Sequence, residues 1–246
     1  MKRLHSFGLL GFVAMALTLS GCELNDDDDM TPTAVPTAMP TVAPTPEPVA
    51  LYEIKVLNST HGQPLSPVAV LLHVESDPQW QIGLAATAGL ERLAESGDGS
   101  EFMAQNTVLA AMSGAGVIMP GQSDVTQVSA AESQSLTLTV ATMLVNTNDA
   151  FTGVTAWPVG QLAVNESQTV ITPIYDAGTE ANSESVASIP GPAAGGEGYN
   201  SDRDDVDFVA RHPGVVTMDD GLVGSALTQA HRFDNGAAVI RVTRMQ

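Results

Sequence analysis

"SLTLTVATMLVNTNDAFTG" (residues 135 to 153) is the stretch on which the fold turns. Its first half sets Leu136, Leu138 and Val140 against Thr137 and Thr139, the period-two pattern of a β-strand with an apolar face. Its second half drops into a polar turn that carries Asp149. The same plan recurs downstream, where the strand-like "QTVITPIYD" (168 to 176) leads into "DAGTE" (176 to 180), so that Asp149 and Asp176 lie 27 positions apart. Neither turn contains Lys or Arg to neutralise its acids, and a cation is the natural counter-charge. Calcium takes six to eight oxygen ligands, which carboxylates from two loops at one end of a sandwich can supply with help from carbonyls and water. Gly178 lets the chain turn sharply enough for Asp176 and Glu180 to face one point. Asp and Asn also populate turns for local hydrogen-bonding reasons, so plain turn chemistry stands beside the metal as a reading of both loops.

Outward from this stretch, strand patterns recur at "YEIKVLNST" (52 to 60), "SPVAVLLHVE" (66 to 75), "DVTQVSA" (124 to 130) and "AAVIRVTRM" (237 to 245). Between Gln81 and Met112 the spacing of Ala and Leu changes to threes and fours, broken by "SGDGS", which predicts two short helices joined by a Gly-rich turn. Residues 177 to 235 are rich in Gly, Pro and Asp and read as mostly irregular. Many strands separated by turn residues predict an all-β fold, an antiparallel β-sandwich with a minor helical insertion. No fixed-period repeat is visible, which argues against a solenoid or propeller.

The amino-terminal end supplies an address. Residues 1–21 read as a lipoprotein signal peptide, with basic Lys2 and Arg3, an apolar run from Leu9 to Leu19, and small residues after it; the run is too short to span a bilayer. "LSGC" (19 to 22) resembles the bacterial lipobox, and Cys22, the chain's only cysteine, is expected to be lipidated. Glu23 rather than Asp follows it, which by analogy with enterobacterial sorting points to the outer membrane. Residues 22–50 form an acidic and Pro/Thr-rich tether, with Asp26 to Asp29 in a row and then "TPTAVPTAMPTVAPTPEP", a composition with almost nothing to bury. Residues 51–246 then make one domain. It carries 22 acidic and 7 basic residues, a net charge of −15 with His neutral, which makes nucleic acid and anionic head groups poor partners and cations or basic surfaces good ones.

"HGQPLSPVAVLLH" (61 to 73), "TMLVNTNDAFTG" (142 to 153), "YDAGTEAN" (175 to 182), "IPGP" (189 to 192), "HPGVV" (212 to 216) and "AVIRVT" (238 to 243) together resemble the spondin domain, the amino-terminal module of animal F-spondin and mindin that also occurs in bacterial exported proteins. The likeness runs from about Leu51 to Arg244. It implies a C2-like antiparallel β-sandwich, a calcium ion held by Asp149, Asp176 and Glu180, and a binding role rather than catalysis. Glu180 stands where the animal pattern has Asp, one methylene shorter.

Catalytic signals are weak by comparison. His61, His73, His212 and His231 lie in no HExxH pair, there is no GxSxG, and "DRDDVD" (202 to 207) lacks the glycine and glutamate of an EF-hand loop, so it reads as a solvated acidic loop. "HPG" (212 to 214) reads as a turn with a structural histidine, and Trp80 and Trp157 as packing anchors at loop entries. The expectation is no enzyme, but an exported, lipid-anchored, calcium-binding adhesion or ligand-binding module of the bacterial cell envelope. Its partners would be the membrane, through the anchor, and a protein or glycan ligand, with no nucleic acid. The alternatives are a structural envelope protein in which calcium only braces the fold and, more remotely, a metal-assisted hydrolase.

Overall fold

The computed structural model describes residues 47–74, 77–234 and 236–246. The signal segment, Cys22 and the tether up to residue 46 lie outside the described residues. The strands are β1 (Val49–Asn58), β2 (Ala69–Val74), β3 (Val108–Ser113), β4 (Ser123–Ala131), β5 (Leu136–Met143), β6 (Ala150–Pro158), β7 (Ser167–Thr172), β8 (Ile174–Asp176), β9 (Ala210–Arg211) and β10 (Ala238–Arg244); the helices are α1 (Ala88–Ser96) and α2 (Ser100–Met103). A four-stranded sheet in the order β4-β1-β10-β7 faces a six-stranded sheet in the order β3-β2-β5-β6-β8-β9, and every pairing is antiparallel. The all-β sandwich with a minor helical insertion is therefore present as expected.

The alternation in the opening stretch explains how the layers stack. Leu136, Leu138 and Val140 of β5 enter the core between the sheets, where they meet Tyr52, Ile54 and Val56 of β1 and Ile240 and Val242 of β10. The opposite face of the same sheet is covered by the helices, and there Ala69, Leu71, Ala141 and Phe151 pack against Leu90, Leu93, Ala94 and Phe102. β5 is consequently buried at all eight positions. Each large apolar side chain taken fully out of water contributes about 1.5–3 kcal/mol. Trp80 is the keystone of the second layer, edge-on to Phe151 at 5.2 Å and to Tyr175 at 5.7 Å. α1 begins where Thr87 accepts the Leu90 N–H at 3.2 Å and ends at Gly97 in the left-handed region, φ 74°.

Two sequence expectations are corrected. The second helix was expected to run on to Met112, but α2 ends at Met103 and "VLAAMS" is the edge strand β3, paired with β2 from Ala69↔Ser113 to His73↔Val108. Helix propensity is a weak preference, and the open edge of β2 overrides it by satisfying the backbone of this segment. Residues 150 to 158 are not among the strand patterns read from the sequence, yet they form β6. The first half of β6 is buried on both faces, and its sequence lacks the polar and apolar alternation that marks a half-exposed strand. The "QTVITPIYD" strand is real but divided. Pro173 interrupts it, leaving β7 in the four-stranded sheet and β8 in the six-stranded one.

Candidate functional site

The acids of the two turns are brought together by strand pairing. β6 and β8 pair with Ala150 opposite Asp176, and the Ala177 N–H donates to the Asp149 carbonyl at 3.3 Å. Asp149, one residue ahead of Ala150, is fully buried, and Asp176 is 4% exposed. The connection from β5 to β6 is braced by uncharged side chains: the Thr147 hydroxyl donates to the Leu144 carbonyl at 2.6 Å and accepts the Ala150 N–H at 3.1 Å. Asn146 donates to the Gly62 carbonyl and accepts the Ala193 N–H, pinning the turn to two distant segments.

The two oxygens of Asp149 differ sharply. Oδ2 accepts the Thr179 N–H at 2.9 Å, the Thr179 hydroxyl at 3.3 Å and the Glu180 N–H at 3.2 Å. Oδ1 is buried with no hydrogen-bond partner among the described residues. Asp176 accepts the Gly178 N–H at 2.8 Å through Oδ1 and the Asn182 side-chain amide at 2.6 Å through Oδ2. Gly178 has φ 71°, and a Cβ there would sit 2.3 Å from the Phe208 carbonyl oxygen, so the sharp turn read from the sequence does require glycine. Burial, followed by the negative charge of Asp176, pushes the Asp149 carboxyl up to about 8.

Glu180 contributes in two ways. Its backbone N–H serves Asp149, while its Oε1 accepts from the Asn148 side-chain amide at 3.3 Å and its Oε2 is buried and unpartnered. Burial raises its carboxyl to about 7. Asn148 is a hub that sequence reading passed over, donating also to Ser188 Oγ at 2.8 Å and accepting the Glu184 N–H at 3.4 Å. Glu184, with φ 53° and 1% exposure, receives the Val216 N–H on Oε1 and leaves Oε2 without a partner. The signal available for Asn148 was its place inside the "NTND" turn; for Glu184 there was none.

His212 also reaches this end. Its Nδ1 accepts the Gly214 N–H at 3.0 Å, which leaves Nε2–H to donate to Asn182 Oδ1 at 3.0 Å, and Asn182 in turn donates to Asp176. The structural histidine read from "HPG" is therefore correct, with burial lowering its pKa to about 4. "DRDDVD" is only partly the solvated loop expected. Arg203 ties it to α1 through Glu91 at 2.5 Å and the Ala86 carbonyl at 2.9 Å, Asp204 accepts the Ala181 N–H at 2.8 Å, and the negative charge of Asp205 adds to that around Asp149.

Chemically, this is a buried acidic cluster in which Asp149, Glu180 and Glu184 each leave one carboxyl oxygen without a partner among the described residues. A proton on Asp149 or a cation beside Oδ1 would relieve it. Among the described residues no three acidic, histidine or cysteine side chains form a group able to hold a metal by themselves. The free Asp149 oxygen has Asp176 beside it, whereas Glu180 reaches them with its backbone N–H and turns its carboxylate to Asn148, so that carbonyls and water would have to supply most of a hard-oxygen shell. Two of the imidazoles are held by hydrogen bonds: His73 lies against Thr137 at 3.1 Å and Thr139 at 2.8 Å, and His212 against Asn182 and Gly214. No protein-family model matches the chain, and no curated protein matches its sequence.

Proposed function

We propose that the protein is an exported, lipid-anchored ligand-binding module of the bacterial cell envelope, spondin-like, in which calcium braces one end of a β-sandwich. The observation that carries the metal reading is the free, buried Oδ1 of Asp149 next to a second carboxylate. An ionised carboxylate out of water is strongly disfavoured unless it is paired or coordinates a metal, and neither Lys nor Arg stands within ion-pair reach of Asp149 among the described residues. Asp149 and Asp176 would hold the ion, with Glu180 as the third side chain. The cation would let the β6 to β8 end close without repulsion and would fix the segment from Thr179 to Pro190, leaving the exposed loops to meet a surface partner. On this reading the role is binding rather than catalysis.

Calcium titration followed by thermal unfolding tests this in the full chain, purified in detergent, beside an Asp149→Asn, Asp176→Asn variant. A ligand that binds only the folded state stabilises it by about 2.7 kcal/mol at a hundredfold excess over Kd. A calcium-dependent rise in Tm of the parent, absent from the double variant, is the expected result. No shift in either protein at millimolar calcium would sink the metal reading and leave the acids to turn geometry.

A further inference from the structure

We infer that the outer edge of β7 receives an extended acidic peptide as an added strand. β7 closes one end of the four-stranded sheet, and its sequence "SQTVIT" contains no charged residue, proline or glycine to discourage pairing. Strand edges are normally blunted by such devices, and an unblunted one is a template for another chain.

Charge around the edge says what kind of chain. Lys55, Arg211 and Arg241 form no ion pair among the described residues, in a domain that carries a large excess of acid. Arg241 stands on β10 directly beside β7, Lys55 on β1 one strand further in, and Arg211 on β9 of the other sheet. On the exposed outer face of the sheet, Lys55 pairs with Arg241 and Arg241 with Thr169 of β7, so two like charges share one rung, which is unfavourable until an anion joins them. The Arg241 guanidinium already leans onto β7, donating to Ser167 Oγ at 3.1 Å. A groove of about 330 Å³ is lined there by Lys55, Arg241, Asn165, Ser167, Thr243 and Glu53, whose carboxylate accepts from Gln127 at 3.5 Å rather than pairing with either cation. Across the β7 to β8 corner, Arg211, which lies over the Tyr175 ring at 4.8 Å, lines a second cleft of about 490 Å³ together with Ile171 and Asp234. The groove beside β3, an equally uncharged edge strand, contains no cation.

Register turns this into a recognition pattern. The rung Leu57, Val239 and Ile171 is apolar, with Ile171 64% exposed, while the next rung along holds Lys55, Arg241 and Thr169. Side chains two apart on an added strand share a face. The peptide should therefore place an apolar residue opposite Ile171 and an acidic residue, two positions away, opposite Thr169. The inference rests on reading the domain as a binding module, though not on its calcium.

The test uses fluorescence anisotropy with a labelled twelve-residue peptide repeating Val-Thr-Glu-Thr and the full chain, in calcium and again in chelator so that the two readings fail separately. Saturable binding that weakens with salt is expected, lost at least tenfold on Lys55→Glu, Arg241→Glu or on Ile171→Asp, and lost when the peptide's Glu is replaced by Lys. Amide exchange should slow in Thr169 to Ile171 on binding. Absence of binding, or binding indifferent to the charge reversals, overturns the inference. So does sedimentation showing that β7 is covered by a second copy of the chain, with dimers abolished by Ile171→Asp.

Discussion

Two polar clusters are buried in the six-stranded sheet, and they are resolved in opposite ways. Toward one end of β2 and β5, His73 lies between Thr137 and Thr139, with both ring nitrogens within hydrogen-bond distance of a hydroxyl and Thr139 bonded onward to Ala156. At the other end, beyond β5, Asp149, Glu180 and Glu184 are drawn out of water with one oxygen each unpartnered. Both clusters give up solvent, yet only the first replaces it fully from within the chain. A buried polar group kept for packing has its partners built in, whereas a buried carboxylate lacking them calls for a proton, a water or an ion.

Four outcomes would break or sharpen that contrast. The largest effect is expected for Asp149→Ala in calcium, which strips the acceptor from two N–H groups and a hydroxyl. At about 1–3 kcal/mol for each stranded donor, urea unfolding should show a loss of at least about 3 kcal/mol. Next comes Asp149→Asn, for which a change of sign is expected. In chelator at pH 8 the variant should be the more stable, because it removes a buried charge beside Asp176; in calcium the parent should be the more stable, by about 2 kcal/mol, the order set by ligand linkage. Raised to about 8 in the folded protein from an ordinary 3.8, the Asp149 carboxyl favours folding below pH 4 and loses that contribution as pH rises toward 8. Metal-free parent stability should fall across that window, and the fall should vanish in Asp149→Asn. A variant less stable than the parent in both buffers would remove the distinction between the clusters.

His73→Leu should cost about 1 kcal/mol, equally with and without calcium. Burial lowers the His73 pKa, so its contribution is complete above about pH 6.5 and declines as pH drops below it. That acid-side decline should be missing from the variant. The smallest change is expected for Glu180→Gln, which keeps the Asn148 hydrogen bond and the backbone donor to Asp149. Its unfolding free energy in chelator should stay within about 1 kcal/mol of the parent, while calorimetry should show weaker calcium binding.

The strands whose sequences alternate were the legible ones, including β5, whose threonines keep the period although all eight of its positions are buried. β1 and β10 each carry the alternation, and "YEIKVLNST" and "AAVIRVTRM" lie over them with ends displaced by a few residues. β6 was missed because its sequence "AFTGVTAWP" carries no such alternation, and β3 because Ala and Leu favour a helix until an open sheet edge stands beside them. The candidate site shows the same division. Asp149, Asp176 and Gly178 were visible as acids and a glycine in turns without bases. Asn182 reaches Asp176 from six positions away, whereas Asn148 meets Glu180 and Glu184 only across more than thirty residues, which no local pattern encodes.

By itself, the sequence determined the fold class, through period-two alternation, and the strong excess of acid over base. Only the tertiary structure decided which acids meet. Pairing of β6 with β8 sets Ala150 opposite Asp176 and so carries Asp149 to the same place, while Glu180 gives that site its N–H and turns its carboxylate to Asn148. The physical reason is that periodicity reports which face of an element is buried, whereas the convergence of charges depends on which strands become neighbours and in what register.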